Sequence, residues 1–122
     1  MTDRSAGGPW PVEIRVRRAE RALEVDFDDG TSFRYPAELL RVESPSAEVQ
    51  GHSPAQKVTL AGKRNVGITE LEQVGNYAVR IIFDDGHSTG IYSWPVLYRL
   101  GRDRELIWAA YEAALAAKGL SR

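Results

Sequence analysis

The chain has 122 residues, of which 43% are hydrophobic and 27% charged, and its 16 Lys and Arg against 17 Asp and Glu give a formal net charge of -1. That is the size and composition of one ordinary domain able to bury a core unaided, without the overall positive field that would draw it to nucleic acid or an anionic membrane. The absence of cysteine excludes disulfides, thiolate metal sites, thiol nucleophiles and cysteine-held iron–sulfur clusters from the chain itself.

Residues 1–11, MTDRSAGGPWP, lack the apolar core of a signal peptide and read as a loose tail that Trp10 pins to the body. The body is expected over 12–118, with 119–122 as a short C-terminal tail. No apolar stretch approaches the roughly 20 residues a membrane span needs, since the longest, IWAAYEAALAA, is broken by Glu and Tyr. A cytoplasmic protein is the expectation.

From Val12 the sequence alternates. Val12, Ile14 and Val16 point one way and Glu13, Arg15 and Arg17 the other, and Leu23, Val25 and Phe27 repeat the pattern, which predicts two half-buried strands joined by RAERA. Asp29-Gly30 then predicts a two-residue hairpin turn with positive φ at both central residues. The return strand TSFRY ends at Pro36, and PAELLRV reads as a short helix with Leu39 and Leu40 turned inward.

A second copy runs NYAVRIIFDDGHSTGIYSWPVLYRL, with another Asp-Gly turn at Asp85-Gly86, Tyr92 where Tyr35 stood, and SWPVLYRL as another short helix. Between the copies lie a Ser/Pro/Gly loop, SPSAEVQGHSPAQ, and KVTLAGKRNVGITELEQVG, which reads as two more short strands with a turn at Ala61-Gly62. After Gly101, Asp103 is placed to cap a final helix whose Leu106, Ile107, Ala110, Tyr111, Ala114 and Leu115 share a face and which stops at Gly119. The fold class predicted is α+β: mostly antiparallel sheet from two related hairpin-plus-helix units, with the C-terminal helix packed on it.

The residues that could carry chemistry are few. Asp28-Asp29 and Asp84-Asp85 are better explained as turns than as a cation site, because adjacent strand residues face opposite ways. Ser44 and Ser46 flank Pro45 without the surroundings of a nucleophile elbow. His52 and His87 form no recognised ligand pattern. Arg15, Arg17, Arg18 and Arg21, with Lys57, Lys63 and Arg64, would hold a phosphate or an acidic partner only if they gathered on one face; a solvated face is the simpler expectation. Tyr92, Trp94, Tyr98, Trp108 and Tyr111 are expected mostly in the core rather than as a stacking platform.

Taken together, LEVDFDDGTSFRYPAELLRVESPSAEVQGH, GKRNVGITELEQVGNYAVRIIFDDGH and STGIYSWPVLYRLG resemble the gamma-butyrobetaine hydroxylase-like N-terminal domain, a domain of unknown function, in its bacterial stand-alone form. The likeness runs over about residues 12–118. In that family the domain precedes iron- and 2-oxoglutarate-dependent oxygenase domains or accompanies P-loop iron–sulfur carrier ATPases, which implies an accessory role. The hydroxylase versions hold a structural zinc with a Cys-Pro-Cys-x-x-Cys segment and a later His. The matching positions here are Ser44, Ser46, Val49 and His87, so the resemblance implies a degenerate site, and no zinc or other cofactor is predicted.

The reading is therefore of a non-enzymatic protein-interaction module, linked through the family to iron–sulfur or oxygenase metabolism, with an unidentified protein partner and with Glu48, His52 and His87 as the partner-binding candidates. The alternative is a metal- or small-ligand-binding sensor or carrier that uses His52, His87 and Glu48.

Overall fold

The computed structural model describes residues 8–51 and 53–122. Strands β1 (Pro11–Arg17), β2 (Ala22–Phe27) and β3 (Ser32–Pro36) form one antiparallel sheet in the order β1-β2-β3, followed by the short helix α1 (Ala37–Val42). Strands β4 (Ile68–Val74), β5 (Ala78–Phe83) and β6 (Ile91–Ser93) form a second in the order β4-β5-β6, followed by α3 (Trp94–Arg102). Helix α2 (Ala47–Gln50) lies between the units and α4 (Arg104–Ala117) ends the fold. The α+β class holds, built as two three-stranded sheets around a shared core.

The repeat is larger than the hairpins suggested. Even the irregularity recurs: the register of β1 on β2 shifts between Pro11 and Glu13, and that of β4 on β5 between Ile68 and Glu70. Leu23, Val25, Phe27 and Tyr35 from one unit and Val79, Ile81, Phe83 and Tyr92 from the other meet in one cluster with Leu39, Leu40, Leu97 and Leu100. Outward positions stay charged in the first sheet, where Arg15 bridges Glu24 and Asp26 and Arg34 meets Glu24 and Glu20.

Two pairs of reciprocal bonds clasp the units. Tyr35 Oη donates to the Leu97 carbonyl at 2.6 Å and Tyr92 Oη donates to that of Leu40, each tyrosine reaching the helix of the other unit. Likewise Tyr98 Oη donates to Asp29 Oδ2 at 2.7 Å, and Arg41 Nε donates to Asp85 Oδ2 at 2.8 Å, each helix gripping the other unit's turn. Tyr35→Phe and Tyr92→Phe would each remove a buried hydroxyl–carbonyl bond, so each is expected to lower the unfolding free energy by about 0.5–1.5 kcal/mol in urea titrations. Stabilities equal to the parent would refute the clasp.

The hairpin turns differ from the expected geometry. Gly30 and Gly86 have φ of 86° and 90°, while neither Asp29 nor Asp85 has positive φ. Gly30 N–H donates to the Phe27 carbonyl and Phe27 N–H to that of Thr31, a three-residue loop with a bulged glycine. The aspartates instead cap the turn: Asp29 Oδ1 accepts from Thr31 N–H at 2.9 Å and Asp85 Oδ1 from His87 N–H at 3.0 Å. A carboxylate that satisfies a loop amide removes the need for the strained αL backbone at that residue.

Three other expectations change. Only β4 forms in the middle segment; 57–60 is irregular chain held by Val58 N–H to Val49 O, Tyr111 Oη to Leu60 O, and Lys118 Nζ to Thr59 Oγ1. Asp103 makes no side-chain cap on α4, because its carboxylate pairs with Arg102. Leu106 is 75% exposed and Ala110 is also outside, so the inward face of α4 is Ile107, Trp108, Tyr111 and Leu115. Trp10 packs on the core and trades bonds with Asp28, while residues 1–7 of the expected tail lie outside the described residues.

Candidate functional site

The end of α1 and the second hairpin meet in a buried polar cluster. Ser44 and Ser46 follow α1, Glu48 lies on α2, and His87 follows the bulged glycine of the β5–β6 hairpin. His87 Nε2 lies 2.9 Å from Ser44 Oγ and 3.5 Å from Ser46 Oγ, and Nδ1 lies 3.2 Å from Glu48 Oε2. A neutral imidazole protonated on Nδ1 satisfies both sides: it donates to the carboxylate and accepts the Ser44 hydroxyl proton. The His87 side chain is only 2% exposed, whereas that of Glu48 is 66% exposed and also accepts from Thr89 Oγ1.

Beside this cluster Asp85 collects Arg41 and Lys63, at 2.8 and 2.7 Å. Burial pushes the Asp85 carboxyl up, but Lys63, the His87 amide and Arg41 outweigh it and bring it down to about 2. Arg41 is itself buried, and its Nη1 has no hydrogen-bond partner among the described residues. For His87, burial and then the Arg41 charge hold the imidazole below its ordinary value, against the opposing pull of Glu48 and Asp85.

A depressed histidine binds its proton more readily unfolded than folded, so stability is full above the ordinary value of 6.5 and falls as pH drops through the lower folded value. Urea midpoints measured from pH 7.5 down to 5 should fall in the parent and fall distinctly less in His87→Gln. Parallel curves would show that His87 does not titrate in this way.

Serine, imidazole and carboxylate are thus threaded in the order of a catalytic triad, but the surroundings are closed. Ser44 is fully buried, and a Cβ placed at Gly90 would stand 2.4 Å from its Oγ. The same positions are a poor donor set for zinc: two hydroxyls, the hydrocarbon Val49, and an imidazole whose nitrogens already serve Ser44 and Glu48. Among the described residues no three His, Cys, Asp or Glu side chains converge as metal ligands.

The internal repeat gives the cluster a reference. Counting from the two FDDG turns, and allowing for one extra residue in the second, Gly90 and Ser44 correspond to Phe33 and Gly101. At that junction Phe33 packs on Gly101, whose Cβ would lie 2.3 Å from the ring, and Phe27, Phe33 and Tyr98 meet edge to face. One junction is aromatic and the other polar. The alignment of the two halves was the sequence signal for this difference, and the reading as two hairpin-plus-helix units missed it because it did not set Gly90 against Phe33 and Ser44 against Gly101.

The remaining candidates scatter. Arg15 and Arg17 are paired to acids on β2, Arg18 donates twice to the Thr69 carbonyl, and Lys57 is held by Glu43, so these cations do not gather into one patch. Tyr92, Trp94 and Tyr111 are buried, which leaves no row of stacked aromatics at the surface there. His52 lies outside the described residues. Among the described residues no helix is long and apolar enough to cross a membrane.

Comparison with known proteins bears on the whole chain. A family described as gamma-butyrobetaine hydroxylase-like, N-terminal, matches residues 14–98. Two solution NMR structures are similar: one is 47% identical, covering all of this chain and 90% of its own, with a TM-score of 0.82. The other is 43% identical, covering 93% and 90%, with a TM-score of 0.81. A crystal structure of a protein of unknown function from Acidithiobacillus ferrooxidans, assigned to a family of domains of unknown function, is 41% identical over 75% of this chain and 91% of its own, at a TM-score of 0.62. No curated protein matches.

Proposed function

We propose, for a chain that belongs to the gamma-butyrobetaine hydroxylase-like N-terminal family, a non-catalytic accessory role: it binds a protein partner through the 43–56 loop, in iron–sulfur or oxygenase-related metabolism as the family's domain fusions imply. The observation that carries the reading is the asymmetry of the two junctions. Aromatic packing closes one half, so the fold does not require a buried Ser-Ser-His set beside a guanidinium with one unpartnered nitrogen in the other. Buried polar groups that stability does not demand are where function is retained.

The same geometry argues against turnover and against a structural zinc. A substrate acyl group has no room at Ser44 beneath Gly90 and Tyr92, and hydroxyls compete poorly with water for zinc. His87 is too buried to touch a partner, so its part is to hold Glu48 and the loop in place, and Glu48 with Thr89 forms the contact surface.

The test is affinity purification of the tagged full chain from its native source, with metal content measured on the same sample. A partner retained by the parent, lost on Glu48→Lys and kept on the remote change Glu70→Lys, with no stoichiometric metal, is the expected result. Equal recovery by all three proteins would remove this surface, and hydrolysis of activated esters lost on Ser44→Ala would remove the non-catalytic reading.

A further inference from the structure

On the side of the molecule where α4 crosses the irregular segment 57–60 there is an open groove of about 590 Å³, within the size range of small-ligand sites. Its floor is apolar: Val42 and Tyr111 are buried beneath it, Ile107, Ala110 and Ala114 line α4, and Val58 stands 43% exposed on the opposite wall. The wall is tied down at three points, by the Val58 amide on Val49, by Tyr111 on Leu60 and by Lys118 on Thr59. A groove fixed on both sides loses little on filling.

Three cations border this apolar floor, Lys57, Arg99 and Lys118, against one lining carboxylate, Glu43, which Lys57 already neutralises with 2.8 Å contacts to both oxygens. Lys118 reaches only a hydroxyl, and Arg99 makes no side-chain hydrogen bond or ion pair among the described residues. Elsewhere on this near-neutral chain the cations on β1 and β3 are paired with acids. Two cations without a hydrogen-bonded carboxylate, Arg99 feeling only the nearby charge of Asp103, over an apolar floor call for an anionic head on an apolar body.

We propose that this groove binds a small amphipathic carboxylate, its chain along Ile107, Ala110 and Ala114 and its head against Arg99 or Lys118. The site is separate from the Glu48 surface, although Glu43 and Ala55 border both, so Glu48→Lys should leave it intact and the two proposals fail independently.

The probe is octanoate, titrated into the isotope-labelled full chain by NMR. Saturable shifts confined to the amides of Val58, Ile107, Ala110, Ala114 and their neighbours are expected, with none from octylammonium at equal concentration. Arg99→Gln is an exposed change that leaves the fold intact, and Lys118→Arg keeps the charge while Lys118→Gln removes it together with the tie to Thr59; Arg99→Gln, or Lys118→Gln but not Lys118→Arg, should weaken octanoate about fivefold or more, as loss of a partly screened charge contact would. Ala110→Trp, which fills the groove from its exposed rim, should abolish the shifts. Octylammonium matching octanoate, dispersed unsaturable shifts, or affinities unchanged in both charge variants would overturn the assignment, as would a response only to an acidic amphipathic peptide.

Discussion

Gly51→Ala is expected to lower the unfolding free energy by about 3–5 kcal/mol, the combined cost of a glycine-only backbone and an overpacked contact. Gly51 ends α2 with φ 67° and ψ -157°, a region closed to side-chain-bearing residues, and its N–H still donates to the Ala47 carbonyl. An added Cβ would lie 2.5 Å from Gln56 Cβ and 2.9 Å from the Gln56 carbonyl oxygen. The second of these is backbone and cannot swing aside. Gly62 provides the control: its φ is 72° but nothing lies within 4 Å of the added carbon, so Gly62→Ala should cost only the roughly 1–2 kcal/mol of a left-handed alanine. Urea titrations of the two variants decide the point. If Gly51→Ala costs no more than Gly62→Ala, the close return of the loop on itself is wrong, and with it the placement of Glu48.

The alternating residues of β2 and β5 fixed their strands in advance because period-2 burial is strong wherever one face meets a core, whereas on β1 the inward face expected of Val12, Ile14 and Val16 fails at Val12, which is 65% exposed where the register shifts between Pro11 and Glu13. Leu39 and Leu40 were equally legible as inward residues of a short helix after Pro36, and both are fully buried. The 57–60 segment was not. Val58 and Leu60 alternate with Lys57 and Thr59 as a strand would, yet the segment pairs with side chains of α4 and with Val49, contacts remote in sequence. Leu106 misled for a related reason: helical spacing defines an apolar arc, and α4 is apolar around most of its circumference, so spacing alone could not say which part faces inward.

The candidate site was legible as a list of residues and illegible as an arrangement. Ser44, Ser46 and His87 were brought together through the family resemblance, and the structure places them within hydrogen-bond reach of one another. Glu48 was named with them, but its bond to Nδ1 depends on α2, a single turn of helix that SPSAEVQGH does not announce. Arg41 was missed altogether. Its counterpart in the other half is Tyr98, and a tyrosine and an arginine serve the same mechanical purpose here, reaching across to the opposite turn aspartate. The arginine adds a charge that burial makes costly, and Asp85 offsets it only in part because Lys63 shares the same carboxylate oxygen. That excess of polarity over mechanical need links the fold to the proposed binding role.

The triple variant S44C/S46C/V49C is expected to bind one zinc ion per chain where the parent binds none, and to gain thermal stability in proportion to free zinc. The present hydroxyls already stand around His87 Nε2, at 2.9 Å from Ser44 and 3.5 Å from Ser46, and buried Val49 lies on α2, three residues past its N-cap Ser46. Thiolates bind zinc at about 2.3 Å and imidazole at about 2.0 Å, so donors three to four ångströms apart are spaced for one tetrahedral ion. A site of this kind binds with about 10 kcal/mol or more at neutral pH, far above any other effect predicted for this chain. In the variant the Ser44 hydroxyl from which Nε2 accepts is gone, so turning Nε2 toward a metal costs no existing hydrogen bond, while Glu48 keeps Nδ1–H and orients the ring, as outer carboxylates do in histidine–zinc sites. Metal analysis of the purified variant, with H87Q added as a fourth change, provides the decision. Zinc bound by the triple variant and lost from the quadruple one supports the arrangement; zinc bound equally by both, or by neither, means these four side chains do not converge, and the account of the polar junction falls with them.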